Sequence, residues 1–89
     1  SQPMNYGTAT RFSPARVLEL AEQFFGHPGL GLHVEARQSD GVDLVGPRGR
    51  VTVKVQMTDG TTEVFLTTQA LDEQVRQFMA EIYEEAQHA

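Results

Sequence analysis

The sequence predicts an α+β domain: a four- or five-stranded antiparallel meander sheet with two helices on one face, in the order β-α-β-β-β-β-α. Three observations carry this. The stretch from Arg50 to Thr68 alternates apolar and polar residues on either side of Asp59-Gly60, a dipeptide suited to a two-residue type I′ turn. Two segments, one on each side of the strand region, repeat apolar residues at helical spacing. Finally, the turns that precede the hairpin place their apolar residues on the same face that the hairpin buries.

The first element is a short strand over residues 6–12, with Thr8, Thr10 and Phe12 on one side. Ser13-Pro14 then opens a helix. The serine hydroxyl accepts from a first-turn amide, and proline suits the first helical position because its missing N–H would have no partner there. Val17, Leu18, Leu20, Ala21, Phe24 and Phe25 form its apolar stripe, and Gly26, Pro28 and Gly29 end it.

From Leu30 the period becomes two: Leu30, Leu32, Val34 and Ala36 alternate with Gly31, His33, Glu35 and Arg37. Ser39-Asp40-Gly41 is read as a three-residue loop with a left-handed Gly41, pairing Ala36 with Leu44 and Gln38 with Val42. Gly46-Pro47-Arg48-Gly49 makes the next turn and sets Leu44 against Val51 and Val42 against Val53. The Asp59-Gly60 turn sets Val55 against Val64, Val53 against Leu66 and Val51 against Thr68. Thr68 is expected to cap a second helix of four to five turns, ending near Glu85. Its apolar face carries Leu71, Val75, Phe78, Met79, Ile82, Tyr83 and Ala86. Asp72 and Glu73 suit its positive end, whereas Glu81, Glu84 and Glu85 crowd the negative one. If the first strand forms, it pairs with the last.

In element order the chain resembles the helix-grip proteins of the START and polyketide-cyclase class. The likeness runs from Thr8-Ala9-Thr10-Arg11-Phe12-Ser13-Pro14-Ala15-Arg16-Val17 to the helix ending near Glu85. Its order and length are also similar to those of small polyhydroxyalkanoate-granule-associated proteins. The helix-grip resemblance implies a curved sheet around the C-terminal helix and an apolar ligand between them. It carries no functional residue across.

At 89 residues the chain supports a single domain, residues 1–89, with one modest core. With no cysteine there is neither a disulfide framework nor a thiolate metal site, so a reducing cytoplasmic setting is expected. No apolar run approaches a membrane span, and Ser-Gln-Pro-Met lacks the features of a signal peptide, so no membrane association is expected. The net charge of −5 and the scatter of Arg11, Arg16, Arg37, Arg48, Arg50, Lys54 and Arg76 argue against nucleic acid.

No cofactor or metal is expected. His27, His33 and His88 share no ligand spacing, and each reads as an ordinary surface histidine. Ser13 is explained as a helix cap and Ser39 as a turn residue, so neither points to a nucleophile. Glu35 and Asp43 could form an acid–base pair on adjacent strands, but Arg37 opposite Asp43 makes a structural ion pair the simpler reading. The glycines near residue 29 follow a helix rather than precede one, unlike a phosphate loop. No catalytic residue is assigned.

Two features remain. Phe12, Phe24, Phe25, Met57, Phe78, Met79 and Tyr83 should converge between helices and sheet; they fill the core or, alternatively, leave a small apolar pocket. That pocket would be walled by Phe24, Phe25, Phe78 and Met79, with Tyr83 at its rim. The sheet face opposite the helices carries His33, Glu35, Arg37, Asp43, Val45, Arg50, Thr52, Lys54, Glu63, Phe65 and Thr67. Arg37 faces Asp43 there and Glu63 lies diagonal to Lys54, while Val45 and Phe65 are apolar where solvent is expected. The sequence reading is therefore a non-catalytic interaction or oligomerisation module. It is expected to be homodimeric through that outer face or an edge strand, with Val45, Lys54 and Phe65 as candidate interface residues. The rival is a small apolar-ligand binder with a pocket between the C-terminal helix and the sheet.

Overall fold

The computed structural model describes residues 2–88, with side chains described for 2–83. The element order is β1 (Met4–Thr10), α1 (Pro14–Phe25), β2 (His33–Gln38), β3 (Gly41–Gly46), β4 (Gly49–Thr58), β5 (Thr61–Gln69) and α2 (Asp72–His88). The strands form one antiparallel sheet in the order β1-β5-β4-β3-β2, with both helices on one face.

The hairpin pairs as the turn dictates. Asp59 and Gly60 both take positive φ, 52° and 78°, the two left-handed positions of a type I′ turn. Val55 faces Val64, Val53 faces Leu66 and Val51 faces Thr68, while Leu44 and Val42 face Val51 and Val53. These side chains are buried on the helix side. Val17, Ala21 and Phe25 of α1, together with Val75, Phe78 and Ile82 of α2, close over them to form one core. Phe24, Phe25 and Phe78 make an aromatic cluster with centroid separations of 4.9, 5.2 and 5.5 Å. Ser13 caps α1 by accepting the Arg16 amide at 3.1 Å.

Several boundaries and pairings differ from those read in the sequence. β1 covers Met4–Thr10 rather than 6–12, because the Phe12 carbonyl accepts from Thr62 Oγ1 at 2.7 Å as the chain leaves the sheet for α1. Leu30 and Leu32 precede β2 instead of opening it: the amides of Leu30, Gly31 and Leu32 bond back to the carbonyls of Phe24, Gly26 and Phe25 and wrap the end of α1. Thr68 lies inside β5 and donates to the Arg50 carbonyl at 2.8 Å; the first helical bond of α2 ends on the Leu71 carbonyl.

The largest departure is between β2 and β3. The turn leaves only Ser39 and Asp40 between paired residues, so Gln38 faces Gly41, Arg37 faces Val42 and Ala36 faces Asp43. Gly41 does not take positive φ. A bulge at Glu35 then lets Val34 face Leu44 and His33 face Val45. Val34 and Arg37, an odd number of positions apart, thus share the helix side. Arg37 therefore does not pair with Asp43. It reaches Glu22 of α1 through two parallel bonds of 2.8 and 2.9 Å, and Asp43 instead accepts from Thr52 Oγ1 at 2.6 Å.

Candidate functional site

The apolar cleft lies between the two helices. Leu20, Gln23 and Phe24 of α1 and Phe78, Glu81 and Ile82 of α2 line a shallow volume of about 190 Å³. Two of the expected pocket residues, Phe24 and Phe78, are among them. Phe25 lies beneath, fully buried against both rings. Met79 packs against the core beyond this lining. Tyr83 is 48 % exposed and Met57 53 %, so neither joins the convergent cluster expected of them. Met57 stands opposite Thr62 near the tip of the hairpin. The cleft is smaller than the roughly 300–1,000 Å³ of ordinary small-molecule sites.

Among the described residues no helix covers the outer sheet face. Phe65, 47 % exposed, stands in a row with Lys54 on β4 and Gly7 on β1. A Cβ added to Gly7 would lie 3.9 Å from Phe65 Cδ1, so the ring rests beside the bare glycine backbone. The next row is Asn5, Thr67, Thr52, Asp43 and Ala36, and Val45 falls in the row beyond, between Arg50 and His33. A polar row thus separates Val45 from Phe65. Glu35, set out by the bulge, receives Arg50 at 3.2 Å, which gives it a structural partner.

The two sheet edges differ. β2 is interrupted by the Glu35 bulge and carries His33, Glu35 and Arg37. β1 is seven residues long, pairs with β5 without irregularity, and has no charged residue. Above it runs α2, docked by polar contacts that the sequence did not disclose. Tyr6 donates its hydroxyl to Asp72 Oδ2 at 2.6 Å and accepts from Arg76 Nη1 at 3.1 Å, with the guanidinium 5.9 Å from the ring centroid. Thr10 Oγ1 donates to the Ile82 carbonyl at 2.9 Å. The alternation of Tyr6, Thr8 and Thr10 was the available signal, but the partners of Tyr6 and Thr10 lie more than sixty residues away in sequence. The bond to Asp72, aided by desolvation and the carboxylate charge, raises the Tyr6 phenol above its ordinary pKa against the opposing pull of Arg76.

A second groove, of about 540 Å³, opens between α1 and β2, where the rings of His27 and His33 stand 6.2 Å apart near Glu19 and Glu22. Among the described residues no three His, Cys, Asp or Glu side chains converge on a metal-sized site. Hydrogen bonding from Arg37 holds the Glu22 carboxyl below its usual range, against the opposing effect of burial. No helix among the described residues is long and apolar enough to cross a membrane. His88 and the side chains of Glu84, Glu85 and Ala86 lie outside the described side chains. Comparison with known proteins returns neither a matching family model nor a matching curated relative.

Proposed function

We propose that this protein is a non-catalytic interaction module that acts as a homodimer assembled through its sheet. The observation that carries this reading is the openness of the sheet. Most of the apolar strand residues are buried on the helix side, yet the outer face, where Phe65 lies half-exposed, and the regular β1 edge have no covering element among the described residues. Open edges and bare faces are what strand-based association uses. Native mass spectrometry of the purified protein at micromolar concentration tests it. A dimer without added mass supports the reading, and a bare monomer overturns it.

The cleft between α1 and α2 favours a second reading, the binding of a small apolar ligand. Its apolar walls, Leu20, Phe24, Phe78 and Ile82, suit a short aliphatic or aromatic group, and Gln23 and Glu81 supply polar atoms at the margin. The same spectrum addresses it. A retained small-molecule mass, lost in the Phe24→Ala variant, would support ligand binding; a mass-free spectrum counts against it.

A further inference from the structure

We infer that the second copy docks on the free edge of β1, so that two sheets join as one ten-stranded sheet about a two-fold axis near Gly7, with the two α2 helices packed across the same axis. This rests on the homodimer reading and specifies which surface it uses.

The edge itself is the first argument. Antiparallel pairing of a strand with its own copy is isologous: about an axis at Gly7 that residue meets its own mate, while Tyr6 meets the partner's Thr8, Asn5 the partner's Ala9 and Met4 the partner's Thr10. In Met4–Thr10 that condition brings no charge against a like charge, because the strand has none. β2, with its bulge, His33, Glu35 and Arg37, presents the opposite character, that of an edge protected from pairing. Gly7 is the midpoint of β1. With no side chain, it leaves the outer face bare at the centre of the seam.

The helix supplies the second argument. Tyr6 meets Asp72 and Arg76, and Thr10 meets Ile82, so α2 runs in the same direction as β1. Its α1 side is marked by Phe78, Glu81 and Ile82. Helical geometry then puts Asp72, Arg76, Met79 and Tyr83 on the opposite side, the one that overlooks the β1 edge. Tyr83 is 48 % exposed there, and Met79 is half-buried beside it. About half of the Tyr83 surface is left open on this stripe, and a second helix would cover it.

The spacing agrees. α2 packs on both β1 and β5, so its axis sits about half a strand spacing inside the edge. With strands about 4.8 Å apart, joining two edges puts the α2 axes about 10 Å apart, the separation of packed helices. The helices then run antiparallel across the seam. A seam of seven residues is about 24 Å long and, through strand and helix layers, about 20 Å deep. Each copy thus buries on the order of 500 Å², which puts the pair near the lower bound for specific interfaces.

The test uses three charge variants, read by sedimentation or native mass spectrometry across a concentration series, and two cysteine variants. A Cβ at position 7 meets only ordinary contacts, 3.8 Å from the Val64 carbonyl oxygen and 3.9 Å from Phe65, so Gly7→Lys can fold while setting two ammonium groups against each other on the axis. Tyr83→Glu alters an exposed helix position and serves as the independent second variant. Phe65→Glu charges the outer face alone. Both Gly7→Lys and Tyr83→Glu should raise the dimer dissociation constant at least about tenfold with circular dichroism unchanged, and Phe65→Glu should leave it within about twofold. Because the chain has no cysteine, Gly7→Cys should give a disulfide-linked dimer on mild oxidation and Phe65→Cys should not. A wild-type dimer that survives both edge substitutions, or that dissociates only with Phe65→Glu, overturns the β1 seam but leaves the homodimer standing. A wild-type monomer throughout overturns both.

Discussion

Tyr6, Thr10 and Glu22 each tie a helix to the sheet through one side chain, and their chemistry gives each tie a different signature. The Tyr6 phenol donates to Asp72, and its pKa is raised in the folded state. A raised folded pKa means that the stabilisation is complete below the unfolded value near 10 and is lost as pH rises through the folded one. Tyr6→Phe should therefore flatten the stability loss measured by urea titration between neutral and strongly alkaline pH, relative to wild type. Glu22 has the opposite sign. Its carboxyl is lowered by Arg37, so its contribution is present above the unfolded value near 4.3 and disappears as pH falls through the folded one. Glu22→Gln should correspondingly make stability less dependent on pH between about 5 and 2. Thr10→Val tests neutral bonds: the buried hydroxyl donates to the Ile82 carbonyl and accepts from the Phe12 amide, and losing both should cost about 1–3 kcal/mol of unfolding free energy at every pH.

At the scale of elements, turn chemistry and apolar period were enough wherever a strand stayed regular. Asp59-Gly60 determines the β4–β5 register, Gly46-Pro47-Arg48-Gly49 determines β3–β4, and Ser13-Pro14 starts α1, all as read from the residues. The β2–β3 register was not legible. Apolar alternation runs unbroken through Val34 and Ala36, and nothing in the composition of Glu35 announces an inserted position; only the reach of Arg37 to Glu22 shows why the bulge is there. The candidate surfaces divide in the same way. Phe24 and Phe78 face the interhelical cleft as their helical spacing implies, whereas the stripe of Met79 and Tyr83 acquires meaning only from the direction of α2 over β1. The bulge makes its own prediction. Deleting Glu35 keeps every pair on either side of it, including Val34 with Leu44 and Ala36 with Asp43, while turning β2 into a regular edge. The variant should retain the wild-type circular dichroism spectrum, lose only the exposed Arg50 ion pair, and show concentration-dependent light scattering absent from the parent. A soluble, non-scattering deletion variant would mean that the bulge serves the Glu22 contact and has no protective role.

For the molecule as a whole, assembly and stability are one question. A chain of 89 residues with a radius of gyration of 12.0 Å has a small core, and a domain of this size leaves much of its surface in water. Joining two copies at β1 would extend the sheet and cover Tyr83 at once, so folding free energy would be coupled to dimerisation. Whatever binds only the folded state raises the apparent melting temperature with its own concentration. For a dimer that dissociates on unfolding, each tenfold increase in protein adds roughly 0.7 kcal/mol per chain, equivalent to about 3–5 °C for a domain of this size. Scanning wild-type protein over two decades of concentration above the dimer dissociation constant should show that rise. Gly7→Lys should melt at the temperature of the dilute wild type and show no concentration dependence, because its fold is intact and its seam is lost. Phe65→Glu should follow the wild-type slope. If instead the melting temperature of the wild type is flat across the series while native mass spectrometry still shows a dimer, each copy is already fully stable alone, and the association adds a binding surface without contributing to the fold.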